Sequence, residues 1–169
     1  MLLLHKIFEK IKITTESDFY VPMKLVFGSI NKIEDPLVYC EFKGLKSSLI
    51  EFKIGQNSGK IYSLIILDFK KESLVNKDNI WDFVIDKKIG LPAFVVPDFW
   101  KKEYILDINN NFKVQLSKTF IRIFFSDNEI LLKVSNERVN FGFDKNKYLC
   151  CVEINDLSEI EKESLKEYL

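Results

Sequence analysis

The chain predicts an α+β fold, mostly antiparallel β, and three features carry that reading. Residues 50–69 (I-E-F-K-I-G-Q-N-S-G-K-I-Y-S-L-I-I-L-D-F) and 139–157 (V-N-F-G-F-D-K-N-K-Y-L-C-C-V-E-I-N-D-L) repeat one design: a short alternating strand, a polar turn, a lysine, a longer apolar strand and polar punctuation. Segments rich in Val, Ile, Phe and Tyr recur between turn residues along most of the chain, as a pleated, half-buried surface requires. Helical periodicity combined with helix start and stop signals is confined to 78–89 and 158–168. The expected body is a bent sheet or a pair of sheets in a single domain over 1–169. The repeated hairpin design admits two similar halves, 19–77 and 94–157, sharing one core. Any two hairpins share alternation, so chance accounts for the repeat as well as duplication does.

Residues 2–13 fit two templates. Leu4, Ile7, Phe8 and Ile11 suit a helix, whereas Ile7, Ile11 and Ile13 suit a strand; the expectation is a helix, or a helix running into a strand. Strands are expected at 19–30, 37–43, 49–54 and 60–69, with Asp35-Pro36 as a break because the residue before proline avoids the helical region. Both faces of 61–67 are apolar, which predicts a central strand covered on two sides. The helix at 78–89 is the economical cover. Asp78 would cap it, Gly90 and Pro92 would stop it, and Trp81, Val84, Ile85 and Ile89 would form its apolar stripe. A Pro-bounded aromatic connection follows over 90–102. A second β region is expected at 103–108, 111–116, 119–126, 129–134, 138–143 and 147–154, with hairpin turns at Asn109-Asn110-Asn111 and Ser126-Asp127-Asn128-Glu129. The last helix opens on Ser158 and Glu161, the capping-box pair S-x-x-E.

Composition removes several classes of function. The chain has 169 residues, 47% of them apolar and 15 of them Phe. A domain this long buries roughly 70% of its unfolded surface and needs no metal or disulfide for stability. Lys and Arg total 25 against 25 Asp and Glu, and no basic run appears, so a phosphate-binding nucleic-acid surface is not expected. The acids concentrate in residues 153–169, six against two bases. No apolar run approaches a membrane span, and the N-terminus lacks a signal-peptide core, which points to the cytoplasm. Cys40, Cys150 and Cys151 have no framework spacing, and adjacent Cys150 and Cys151 would face opposite sides of a strand. Buried, apolar thiols are the expectation.

The chemical motifs are sparse. Gly55-Gln56-Asn57-Ser58-Gly59-Lys60 resembles a phosphate loop, but its spacer is one residue short, Ile61 stands where a hydroxyl residue belongs, and a strand follows instead of a helix; a hairpin turn fits better. His5 is the only histidine and has no nucleophile motif to serve. On a helix, Asp78, Asp82 and Asp86 would form one carboxylate stripe, best read as its solvated side. No catalytic, cofactor-binding or metal site is therefore expected. The segment Phe94–Tyr104 has the composition of an interface, with aromatic anchors and a charged rim. Its candidate contact residues are Asp98, Phe99, Trp100 and Tyr104, set against the alternative that Phe99 and Trp100 plug the core. The acidic end adds Asp156, Glu159, Glu161 and Glu163, which could steer a basic partner.

Three functional classes remain. The favoured one is a non-catalytic module that binds a partner protein stoichiometrically, as bacterial immunity proteins block a cognate toxin. The alternatives are a hydrolase-like enzyme using carboxylates alone, with Asp68, Asp78 or Asp82 as candidates, and a structural subunit of a phage or secretion assembly.

Overall fold

A computed structural model describes residues 1–16, 21–29, 35–44, 48–70, 74–78 and 80–166. Residues 19, 20, 30, 79, 167 and 168 of the expected elements lie outside them. The strands of the first half are β1 (Leu4–Phe8), β2 (Ile13–Glu16), β3 (Met23–Phe27), β4 (Leu37–Lys43), β5 (Leu49–Gly55) and β6 (Ile61–Asp68). Then follow β7 (Asp86–Ile89), β8 (Leu91–Phe94), α1 (Asp98–Glu103), β9 (Ile105–Asn109), β10 (Lys113–Leu116), β11 (Phe120–Phe124), β12 (Leu132–Asn136), β13 (Val139–Phe143), β14 (Leu149–Asn155) and α2 (Glu159–Lys166). The fold is α+β and mostly antiparallel, with one mid-chain and one C-terminal helix.

The strands form two six-stranded sheets and a β1–β8 pair. The first sheet runs β2-β3-β6-β5-β4-β9 and the second β10-β11-β14-β13-β12-β7. These are one and the same order: five antiparallel strands, then a sixth lying parallel to its neighbour. The sixth strand of each comes from the middle of the chain, between β6 and β10: β9 runs parallel to β4 and β7 parallel to β12. The two hairpins singled out in the sequence, β5–β6 and β13–β14, occupy equivalent places.

Inward-facing residues of both sheets share one core. Phe42 of the first sheet meets Phe125 from the second half at a tilt, ring centres 4.6 Å apart, Phe52 lies 5.6 Å from Phe42 and 5.8 Å from Phe125, and Phe27 lies 6.2 Å from Phe141. Each such ring, fully buried, contributes roughly 1.5–3 kcal/mol by leaving water. Leu2, Leu4, Leu91 and Phe94 join the same cluster.

Four local expectations are corrected. Residues 2–13 contain no helix, because Leu4, Lys6, Ile7 and Phe8 pair with Phe94, Ala93, Pro92 and Leu91. Residues 78 and 80–89 are not helical either. Ile80–Phe83 form a turn, and from Ile85 onward the backbone donors go to β12 and the residue before it: Ile85 N to Leu131 O at 2.9 Å, Asp86 N to the same oxygen at 3.1 Å, and Gly90 N to Ser135 O at 2.9 Å. The stripe is split accordingly. Trp81 and Val84 pack against Phe124, Ile130, Cys150 and Cys151, while Ile85 and Ile89 are 84% and 78% exposed. The remaining two corrections concern turns. The segment 126–129 is no hairpin, since β11 neighbours β10 and β14 whereas β12 neighbours β13 and β7, and Asn109–Asn111 carries the chain from the first sheet to the second. Turn chemistry marks a change of direction and not its destination.

Candidate binding surface

Helix α1 starts at Pro97, whose φ of −63° suits a helix start and whose carbonyl accepts from Trp100 N at 3.0 Å. Lys101 Nζ lies 2.9 Å from Asp98 Oδ1, and that hydrogen bond, with the Lys101 charge behind it, lowers the Asp98 pKa. Trp100 turns inward and is 9% exposed, whereas Phe99 turns outward at 61%; the rings meet edge-on at 6.2 Å. Trp100 therefore plugs the core, and Phe99 is free for contact.

Tyr104 ends the helix with φ 57° and ψ −35°. A bulky side chain at positive φ costs on the order of 1–3 kcal/mol. The surrounding bonds enforce it: Tyr104 O accepts from Tyr39 N at 2.7 Å, so the helix must turn directly into the parallel pairing of β9 with β4. The outcome is a run of exposed apolar side chains along α1 and the start of β9, a ledge made of Phe99, Tyr104 (58% exposed) and Ile105 (54%).

A recess of about 200 Å³ adjoins this ledge, lined by His5, Asn57, Ser58, Val95 and Lys101 among others. The Gly55–Lys60 turn belongs to it. As expected it is a hairpin turn, and its N–H groups already hold an anion from this chain: Asn57 N and Ser58 N donate to the Asp35 carboxylate at 3.0 and 2.9 Å. Burial raises the Asp35 pKa, but the bonds from Ser58 and Asn57 outweigh burial and leave it lowered. Gly59 sits at φ 68°, where an added Cβ would lie 2.0 Å from Phe94 O; only glycine lets the turn approach β8 so closely. Three sequence features read separately, His5, the glycine-bounded turn and the aromatic connection, thus meet at one recess.

The acidic end is elsewhere. Helix α2 packs beside β3, whereas α1 packs beside β4 and β9, towards the opposite edge of the first sheet. Asp156, Glu159 and Glu163 are exposed. Glu161 is not: at 4% exposure it accepts from Ser158 N at 2.8 Å while Glu161 N donates to Ser158 Oγ at 3.3 Å, the reciprocal capping box. It also pairs with Arg138. Its carboxylate belongs to the fold and is withdrawn from any steering surface.

The remaining chemical candidates are dispersed. Asp78, Asp82 and Asp86 are all exposed and share no helix face, and Asp68 is paired with Lys70. Burial pushes the Cys40 thiol up to about 12 and raises Cys150 and Cys151 as well, which leaves them unreactive. Among the described residues, no group of three His, Cys, Asp or Glu side chains is placed to hold a metal ion, and no helix is long and apolar enough to cross a membrane.

A polar network on the outer face of the second sheet has no counterpart among the sequence motifs. Glu153, 4% exposed, accepts from Arg122 Nε at 2.5 Å, Trp81 Nε1 at 3.1 Å, Asn140 Nδ2 at 2.8 Å and Asn155 Nδ2 at 3.1 Å. Burial raises its pKa, but these bonds, Arg122 first, outweigh it and leave it lowered. Through Trp81 the network pins the 80–85 strap over the sheet.

The arrangement as a whole is that of a two-sheet α+β protein with exposed aromatic residues on α1 and a polar recess that Lys101 of the same helix helps to line. No protein-family model matches this chain, and no curated protein is significantly similar to it. Function is therefore argued from the surface alone.

Proposed function

We propose that this chain is a non-catalytic binding module that neutralises a partner protein in the cytoplasm by stoichiometric contact, in the manner of immunity proteins acting on a toxin. The observation that carries the reading is the exposure of Phe99, Tyr104 and Ile105 along one short stretch of chain, whose helix also supplies Lys101 to a recess with a polar wall. Aromatic anchors next to a pocket, rimmed by Asp98, Lys101, Lys102 and Glu103, have the anatomy of an energetic hot spot.

The test is co-expression with the product encoded beside this gene, followed by measurement of complex stoichiometry and affinity. A one-to-one complex is expected. Phe99→Ala and Tyr104→Ala should each raise Kd by about thirty-fold or more, the size of a hot-spot truncation, with an unchanged circular dichroism spectrum. A partner that binds both variants as tightly as the parent would overturn the assignment of this surface, and absence of any complex would overturn the function.

A further inference from the structure

Among the described residues, the second sheet leaves one edge open, and the residues on that edge complement themselves. All four residues of β7 are exposed, and Phe83, Ile85 and Ile89 beside or within it are 62%, 84% and 78% exposed. At the far edge, β10 is capped by the chain itself, since Leu74 bridges Val114 and Val75 N donates to Val114 O at 2.8 Å. On β7 the even-numbered residues turn their backbone inward: Asp86 N and Gly90 N donate towards β12. In a parallel ladder the alternate residues then direct N–H and C=O outward, here Lys87 and Ile89. An open edge of this kind is a template for another strand.

We propose that β7 pairs antiparallel with β7 of a second copy of this chain, about a two-fold axis through Lys87, joining the two second sheets into one continuous sheet. The sequence Ile85-Asp86-Lys87-Lys88-Ile89 selects this register. It sets Ile85 opposite Ile89 of the second copy and Asp86 opposite Lys88 of the second copy, each twice by symmetry. The adjacent registers with the same outward groups set Asp86 on Asp86 or Lys88 on Lys88, and like charges directly opposite are unfavourable. Within one copy, Lys88 Nζ already sits 3.3 Å from Asp86 Oδ2, so both side chains lie on one face of the strand and exchange partners without a rotamer search. The one unfavourable pair is Lys87 on Lys87, whose long side chains can splay into water. Lysines on the edge also discourage indiscriminate strand addition. The contact is isologous and consumes the open edge, so it closes at a dimer and does not propagate. This surface is separate from the ledge at α1, and the inference goes beyond the proposed function.

The test is light scattering on the purified full chain across a concentration series. The mass should rise from 19.9 kDa to twice that value. Asp86→Lys and Lys88→Asp, each alone, should weaken self-association by about tenfold or more, because both symmetry-related pairs turn repulsive. Mixing the two variants should restore a dimer. One copy then carries lysine and the other aspartate at both positions 86 and 88, so each of the two cross-strand pairs is again of opposite charge. Lys87→Pro removes only an outward N–H and should yield a folded monomer by circular dichroism. A wild-type mass that stays single up to about 1 mM, single variants that dimerise unchanged, or a mixture that remains monomeric would each overturn the proposal.

Discussion

The two sheets share one strand order and differ in what lies on their outer faces. On the second sheet, the 80–85 strap covers the surface, and its buried glutamate, Glu153, meets four donors. On the first, Asp107, Glu41 and Glu51 stand in register across three adjacent strands. Lys43 lies 2.7 Å from Asp107 and 3.4 Å from Glu41, and Lys53 lies 3.8 Å from Glu51. The two glutamates titrate in opposite directions. Burial raises Glu51, only partly offset by Lys53 and reinforced by Glu41, whereas hydrogen bonds overcome burial at Glu153. Topology is therefore not what decides the fate of a half-buried carboxylate. The donors set around it decide it, here Arg122 and Asn140 from neighbouring strands, Asn155 from its own strand and Trp81 from the covering segment.

Removing that difference should produce the largest effect. Glu153→Ala leaves the Arg122 guanidinium without its partner in a nearly closed site and should destabilise the protein by about 3 kcal/mol, as breaking a buried pair does, read as a lower midpoint in urea. Glu51→Ala removes a carboxylate that the fold already disfavours and should change stability by less than about 1 kcal/mol. Equal losses at the two sites would show that the donors around Glu153 contribute nothing beyond burial. Hydrogen exchange in the Glu153→Ala variant should accelerate first within 80–85, because Trp81 Nε1 loses its acceptor.

A pH titration sharpens the contrast with a smaller effect. Glu153 and Glu161 both bind protons less readily in the folded state. Their stabilisation is complete above the usual glutamate range and is lost as pH falls through it, because the unfolded chain takes up the protons first. Glu51 has the reverse sign: its folded pKa is raised, so its cost appears only as pH rises past that range. Glu153→Gln should flatten the acid limb of the stability profile, and Glu51→Gln should raise the neutral plateau slightly. The same direction of change in both variants would refute the assignment.

How much of this was legible in the sequence follows the range of each interaction. The hairpins β5–β6 and β13–β14 and the Ser158–Glu161 cap are local, so spacing and turn chemistry announce them. The partners of β7 and β9 are not local. Each runs parallel to a strand tens of residues away, and nothing in Asp86–Ile89 or Ile105–Asn109 names that strand. The 78–89 stripe satisfied a helix template because Trp81 and Val84 do turn inward, onto the Phe124–Cys151 cluster of the second sheet; backbone bonds from 85–90 to 131–135 then overrode the local preference. At the candidate surface, Phe99 and Tyr104 were visible as aromatic residues near proline, and the exposed Ile105 was not singled out. The meeting of His5 with 57–58 and 95–101 depends on β8 lying between β1 and the Gly59 turn, a tertiary fact carried by the contact of Phe94 N with Gly59 O at 2.7 Å.

The smallest effect concerns the two edge strands themselves. Strand β7 enters its sheet through ordinary extended backbone, whereas β9 enters through Tyr104 at φ 57°. Tyr104→Gly relieves that conformation but gains chain entropy in the unfolded state, and the two terms are each about 1 kcal/mol. The variant should therefore match the parent in thermal stability within about 1 kcal/mol while losing affinity for the partner as Tyr104→Ala does. Val139→Gly, a control inside the core at 0% exposure, should lose several times that stability. A Tyr104→Gly variant that unfolds early would mean that the ring secures the α1–β9 junction, and the ledge would then be part of the scaffold instead of a surface offered to another protein.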